Sequence, residues 1–114
     1  GTDVELWGDG YQRRELIYVD DAIESMLNLL KQENKIFNLG SSNDLPIRHF
    51  AKQICDIIGY DHDKIFYNTE KYVGVRKRKL EVDKLQESLI NYANTSLKDG
   101  LSKTIEFYQK NYAK

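Results

Sequence analysis

The sequence has one cysteine, almost no net charge and no long apolar run, and each shortage removes a class of function. A lone thiol, Cys55, cannot close an internal disulfide, so the fold does not rest on the cross-links of small secreted domains, and the chain reads as cytoplasmic. The 17 basic residues nearly cancel the 18 acidic ones, for a formal net charge of -1. A nucleic-acid or anionic-membrane binder normally carries a clear basic surplus, so neither partner is expected. No stretch approaches the ~20 apolar residues of a membrane span, and the amino terminus lacks the basic, apolar, small-residue order of a secretory leader. His49 and His62 are remote from each other and Asp61-His62-Asp63 lacks ligand spacing, so no metal is expected. There is no internal repeat, low-complexity tract or linker.

Also missing is the phosphate cradle of a dinucleotide-binding enzyme, which needs a strand, a glycine-rich turn and a helix whose amino end holds the pyrophosphate. Gly8-Asp9-Gly10 supplies two glycines, but an apolar, β-prone run at 15–19 follows, so a strand takes the place of the helix. Tyr67 and Lys71 have the Tyr-x-x-x-Lys spacing with which a lysine lowers a tyrosine's pKa across one helical turn. Here the tyrosine ends a predicted strand and the lysine enters a loop, so the spacing reads as coincidence.

What is present suits one modest core, since 114 residues bury roughly two thirds of an extended chain's surface. Residues 4–7 and 15–19 predict two short strands, a hairpin or a neighbouring pair around the glycine turn. Asp20 or Asp21 then caps a helix, with Glu24 closing a capping box on Asp21. Its Ile23, Met26, Leu27 and Leu30 fall at i, i+3, i+4 and i+7, one face. Residues 35–39 predict a strand closed by Gly40 and a polar turn. Ile47, Phe50, Ala51, Ile54, Ile57 and Ile58 predict a second helix stopped by Gly59, with Cys55 in its core. A strand at 65–67, an exposed loop at 69–79 and a short helix at 82–88 follow. Ser96 and Asp99 open a last helix, slightly weakened by Gly100, whose stripe is Leu97, Leu101, Ile105, Tyr108 and Tyr112. The expected class is α/β, with short strands and about four helices. Tyr108 and Tyr112 are read as helix-packing residues, or equally as a subunit contact.

Residues 7–22 run from Trp7-Gly8-Asp9-Gly10 through Arg14-Glu15 to Val19-Asp20-Asp21-Ala22. They resemble the Trp-Gly-x-Gly-x-x-x-Arg-Glu-Phe-x-x-Val-Asp-Asp-x-Ala segment of extended short-chain dehydrogenases, the NAD-dependent epimerase/dehydratase family. Asn38-Leu39-Gly40-Ser41 and Ile47-Arg48-His49-Phe50-Ala51 resemble that family's Asn-(Ile/Val)-Gly-Ser and Ile-Arg-Glu-Leu-Ala. Residues 74–85 align with Gly-Thr-Pro-Arg-Lys-Leu-Leu-Asp-Val-x-(Arg/Lys)-Leu, and 95–101 with the Ser-Leu-x-x-Gly-Leu start of the last helix. The blocks keep the family's order, and the likeness is strongest to its GDP-fucose synthase branch. Val75, Arg76 and Lys79 replace Thr, Pro and Leu, Tyr72-Val73 stands for Pro-Asp, Asn91 and Ala93 for Trp and Pro, and Pro46 for a Ser/Thr cap.

The resemblance implies that residues 1–114 are a carboxyl-terminal substrate-binding domain whose Rossmann domain is not in this chain. It implies a nucleotide-diphosphate sugar, GDP-linked, as ligand, with a UDP-sugar 4-epimerase or dehydratase as the alternative. The family's Ser/Thr, Tyr and Lys set, and the Cys and His pair of the GDP-fucose branch, would lie upstream of Gly1. No catalytic or cofactor-binding residue is therefore expected here; NADP or NAD would belong to the intact parent, with a homodimer as one of its expected partners, and the chain alone would be inactive. A non-catalytic interaction domain, or a nucleic-acid module using residues 76–79 with Tyr67 and Tyr72 for stacking, are the readings of another class.

Four residues are candidates for the substrate grip. Arg14 leads from the turn into a strand, where a guanidinium can pair two hydrogen bonds onto a diphosphate; by resemblance it is the diphosphate clamp. Its plain alternative is a surface arginine paired with Glu15 or Asp21. Trp7 offers a flat face or an indole donor beside the ligand, or else is a core aromatic. Lys77 and Arg78 fall on matched family positions within the dense basic run 76–79. The plain alternative is a solvated loop balanced by Glu70, Glu81 and Asp83, with Arg76 and Lys79 facing solvent in either case.

Overall fold

A computed structural model describes residues 3–32, 35–89 and 92–112. The chain forms two compact units, Gly1–Arg14 with Asp44–Arg78 and Glu15–Asn43 with Lys79–Lys114. The α/β class holds, with four α-helices and short strands among the described residues.

In the first unit, β1 (Val4–Trp7) pairs with β4 (Ile65–Asn68) in parallel, Val4 opposite Ile65 and Trp7 opposite Asn68. The hairpin reading therefore fails: parallel strands need a crossover, and the long connection supplies it. Positive φ at Gly8 (89°) and Gly10 (80°) turns the chain away after one further ladder bond, Gly8 N–H to the Asn68 carbonyl at 2.8 Å. The next strand, β2 (Arg13–Glu15), pairs with β3 (Asp44–Pro46), whose Asp44 is expected from the sequence to end the polar turn; residues 16–18 are not strand. The helix α2 (Ile47–Ile58) has Pro46 at its cap, which offers no side-chain acceptor. Its first free donors go instead to the bend before β2, Ile47 N–H to the Gln12 carbonyl at 3.0 Å and Arg48 N–H to the Gly10 carbonyl at 2.9 Å. Gly59, at φ 76°, ends the helix as expected. Phe50 and Cys55 are its buried residues, and burying a side chain such as Phe50 contributes about 2–3 kcal/mol. Burial also pushes the Cys55 thiol pKa up.

In the second unit, α1 (Val19–Leu29) starts one to two residues earlier than the expected caps, and Tyr18 contributes no capping bond. Asp20 and Asp21 lie in the first turn, where carboxylates complement the helix dipole. Asp21 is otherwise engaged: it accepts from the Thr95 N–H and hydroxyl, both at 2.9 Å. The residue α1 buries is Ser25, while Ile23, Met26, Leu27 and Leu30 are 46% to 78% exposed. Residues 35–39 form no strand; the Ile36 carbonyl accepts from Lys84 Nζ at 2.9 Å and Asn38 Nδ2 donates to the Glu81 carbonyl at 3.0 Å. Glu15 takes the Ser42 and Leu80 N–H groups at 3.1 and 3.2 Å. The helix α3 (Asp83–Ser88) buries Leu85 completely, beside Val82. In α4 (Leu97–Asn111) Ser96 Oγ accepts from the Asp99 N–H at 3.1 Å, the expected cap. Gly100 is the residue α4 buries, and a Cβ there would meet Tyr18 at ordinary contact distance, 3.4 Å from its Cβ. Tyr108 and Tyr112 do not pack inward; they are exposed, with ring centroids 5.8 Å apart. Ala93 has φ 52°, which a proline ring cannot reach. Asn91 lies outside the described residues.

Candidate functional site: an anion-binding cluster on the first unit

The first unit gathers its cations around the glycine turn. A Cβ on Gly10 would strike Arg48 Cγ and lie 2.6 Å from Tyr67 Cε1. The missing side chain thus lets α2 deliver Arg48 into the bend, where its guanidinium lies 3.7 Å from the Tyr67 ring centroid and 4.7 Å from that of Tyr11. Arg48 Nε also donates to the Asp9 carbonyl. Sequence reasoning missed Arg48 as a site residue; the signal was a basic residue in the first turn of α2 with two tyrosines able to flank it.

Asp9 is held at both ends. Its carboxylate accepts the Tyr11 N–H at 2.8 Å and both arms of the Arg76 guanidinium, Nη1 to Oδ1 at 3.1 Å and Nη2 to Oδ2 at 3.3 Å. The hydrogen bond from Arg76, more than any other contact, holds the Asp9 carboxyl below its ordinary range. Arg76 is exposed, as expected, and it forks onto Asp9. Within the basic run Arg76 pairs with Asp9 and Lys77 stands near Asp44. The Glu81 pKa is lowered first by the hydrogen bond from the Asp83 N–H and further by the charge of Lys79, so of the expected balancing carboxylates Glu81 takes part.

The loop carrying the basic run is laid against β2. Arg13 N–H donates to the Arg76 carbonyl at 2.6 Å, Arg78 N–H donates to the Arg13 carbonyl at 3.1 Å, and Arg13 and Lys77 form a parallel bridge. Arg13 Nε meets Asp44 Oδ2 at 2.9 Å and its Nη2 meets the Asp44 carbonyl at 2.8 Å. Asp44 also stands 3.9 Å from Lys77 Nζ.

Each expected grip residue has a definite place. Arg14, half-buried, donates to the Arg13 carbonyl at 2.7 Å and the Val73 carbonyl at 3.4 Å; it pairs with neither Glu15 nor Asp21. Two carbonyls orient its guanidinium without neutralising it, and among the described residues it forms no ion pair. Lys77 is exposed and loosely paired. Arg78 is exposed, and its side chain makes no hydrogen bond or ion pair among the described residues. Trp7 is 58% exposed, so it is not a core aromatic; Lys71 Nζ lies 5.6 Å from its ring centroid. The structure thus brings Arg14, Lys77 and Arg78 onto β2 and the loop beside it. Trp7 stands at the end of β1, one residue before the turn.

Within this cluster Arg13, Arg76 and Lys77 pair with Asp9 or Asp44, while Arg14, Arg48 and Arg78 form no ion pair among the described residues. Such an imbalance suits an anion carrying several oxygens. Gln12, buried beside Gly8, donates Nε2 to the Trp7 carbonyl at 3.2 Å, while its Oε1 finds no protein partner. Tyr67 is no activated tyrosine. Burial pushes its pKa up, its hydroxyl lies 3.0 Å from His62 Nε2, and Lys71 is over Trp7 instead. The glycine turn does not fit a dinucleotide pyrophosphate. A strand follows it, and the N–H groups of Ile47 and Arg48 at the start of α2 are already bonded to carbonyls of the bend. Among the described residues no trio of His, Cys, Asp or Glu is placed to hold a metal, and no helix is long and apolar enough to cross a membrane.

Residues 1–40 match the model of the NAD dependent epimerase/dehydratase family. The chain is 31% identical over 111 residues to GDP-L-colitose synthase of Yersinia pseudotuberculosis, covering 94% of this chain and 35% of the relative. To GDP-L-fucose synthase 1 of Arabidopsis thaliana it is 32% identical over 111 residues, covering 96% and 34%. Among solved structures it is similar to UDP-glucose 4-epimerase of Thermotoga maritima, determined with UDP-glucose. The TM-score is 0.77 and the identity 31%, over 95% of this chain and 35% of that one. By these matches the chain is similar to members of the NAD dependent epimerase/dehydratase family along nearly all of its own length, and it spans about a third of the length of the relatives it matches.

Proposed function

We propose that this chain is the carboxyl-terminal, nucleotide-sugar-binding portion of an NAD(P)-dependent sugar-nucleotide epimerase/reductase of the GDP-fucose synthase kind. The observation that carries the reading is Arg14, a guanidinium fixed by two backbone carbonyls with no carboxylate to neutralise it. In this reading Arg14 clamps the diphosphate, Lys77 and Arg78 close on it from the loop, and Trp7 lies against the ligand. Fixing the guanidinium before the ligand arrives reduces the ordering cost of binding. The GDP-linked sugars in the names of two relatives support a GDP-sugar. A UDP-sugar is the second reading, favoured by the UDP-glucose bound to the Thermotoga maritima enzyme.

Catalytic residues and the NADP or NAD site belong, in this reading, to a Rossmann domain of the parent, so this chain alone is inactive. The exposed face of α1, Ile23, Met26, Leu27 and Leu30, supports that partner. A stripe of this kind is normally buried, and the relatives are about three times as long as this chain. A cytoplasmic, homodimeric parent completes the proposal.

Calorimetric titration of the folded chain with GDP and UDP tests it. Weak binding of GDP, lost in Arg14→Ala, is expected. A preference for UDP selects the second reading, and no heat with either nucleotide at millimolar concentration contradicts both.

A further inference from the structure

The basic loop has no regular structure of its own to fix it, yet its first arginine is the best-anchored side chain in the run. Arg76 meets Asp9 through two nitrogens, at 3.1 and 3.3 Å. The Asp9 end of that pair is held by two further bonds, its carbonyl accepting from Arg48 Nε and its Oδ1 from the Tyr11 N–H. Arg48 in turn is flanked by the rings of Tyr11 and Tyr67. The loop end of the pair is followed at once by the two backbone bonds on Arg13 that bracket Lys77. Pairing is graded along the run: Arg76 is forked, Lys77 sits 3.9 Å from Asp44, and the Arg78 side chain makes no bond among the described residues. Arg76 therefore has its charge spent, while the next two residues keep theirs.

We propose that the Asp9–Arg76 pair is a latch that holds the 76–78 loop against β2, making Arg76 and Asp9 positioning residues for Lys77 and Arg78. This rests on the nucleotide-binding reading for its consequence, though not for its geometry. Arg76 occupies the place where the resembling family segment has proline. A proline stiffens a loop by fixing φ; here an ion pair across the unit does the same work. The pair is largely exposed, with side chains 61% and 39% accessible, so its effect is modest and salt-sensitive.

Two readouts test the latch, one of them free of nucleotide. In amide hydrogen exchange of the ligand-free chain, Asp9→Asn and Arg76→Ala are expected to speed exchange at the Arg13 and Arg78 amides. Asn still accepts the Tyr11 N–H, so the turn survives. Unchanged exchange overturns the latch whatever the nucleotide result. In titration with GDP at low salt, each variant is expected to bind about 3- to 5-fold more weakly. The double variant should be no weaker than either single one, and Arg76→Pro should weaken binding less than Arg76→Ala. Tighter binding by Asp9→Asn together with weaker binding by Arg76→Ala overturns the proposal by making Arg76 a ligand. Faster exchange with unchanged GDP affinity overturns the positioning role. If the wild-type chain binds neither GDP nor UDP, the functional reading fails while the exchange result still decides the latch.

Discussion

Replacing Arg48 with methionine keeps the aliphatic stem but removes the charge flanked by Tyr11 and Tyr67. The two rings lie 4.7 and 3.7 Å from the guanidinium carbon, and each such contact is worth about 0.5–1 kcal/mol when partly exposed. The hydrogen bond to the Asp9 carbonyl adds about 1.5 kcal/mol, since its donor is charged. Contacts sharing one group overlap, so the expected loss is about 2–3 kcal/mol. Arg48→Lys keeps the charge without the flat face and should lose about half as much. The assay is urea unfolding followed by tryptophan emission, because the one tryptophan, Trp7, lies in the same unit. A shift in midpoint with an unchanged slope is expected, together with a coupling of about 0.5–1 kcal/mol in a double-mutant cycle with Tyr67→Leu. A loss below about 0.5 kcal/mol, the size of an ordinary surface change, would refute the assigned role of Arg48.

Gly10→Ala should cost more than its added methyl suggests. The position has φ 80°, and the new Cβ collides with Arg48 and Tyr67, so a loss of about 2 kcal/mol or more is expected, with equal stability the refuting result. Burial raises the pKa values of both Cys55 and Tyr67. Their neutral forms are thus favoured by folding: this contribution is full below the unfolded values, about 8.5 and 10, and is lost as pH climbs through the folded ones. The urea midpoint should fall between about pH 8 and pH 11, and a midpoint that rises over that interval would contradict the burial of both groups.

Legibility in the sequence followed the range of the interactions. The helix α2 was readable because its apolar spacing and the stop at Gly59 are local signals. Residues 35–39 were not, because Lys84 and Glu81, far along the chain, take up the Ile36 carbonyl and the Asn38 side chain. The hairpin expectation failed for the same reason: a Gly-Asp-Gly triplet announces a turn but does not say which strand receives the chain, and β1 found β4. The periodicity of α1 marked an apolar face correctly and said nothing of what covers it. At the site, Arg14, Trp7, Lys77 and Arg78 could be nominated from matched motifs. Arg76 could not, since its partner Asp9 is 67 residues away and nothing local distinguishes a forked arginine from a solvated one. Arg48 was visible only as a motif residue until the fold set Tyr11 and Tyr67 on either side of it.

Amide hydrogen exchange with and without GDP tests most directly where, and whether, a nucleotide binds. Protection confined to residues 7–15 and 72–79, and abolished by Arg14→Ala, is the expected result. Protection elsewhere, as along α4 alone, or none on folded protein at millimolar GDP or UDP, would contradict a nucleotide-sugar grip built on the first unit.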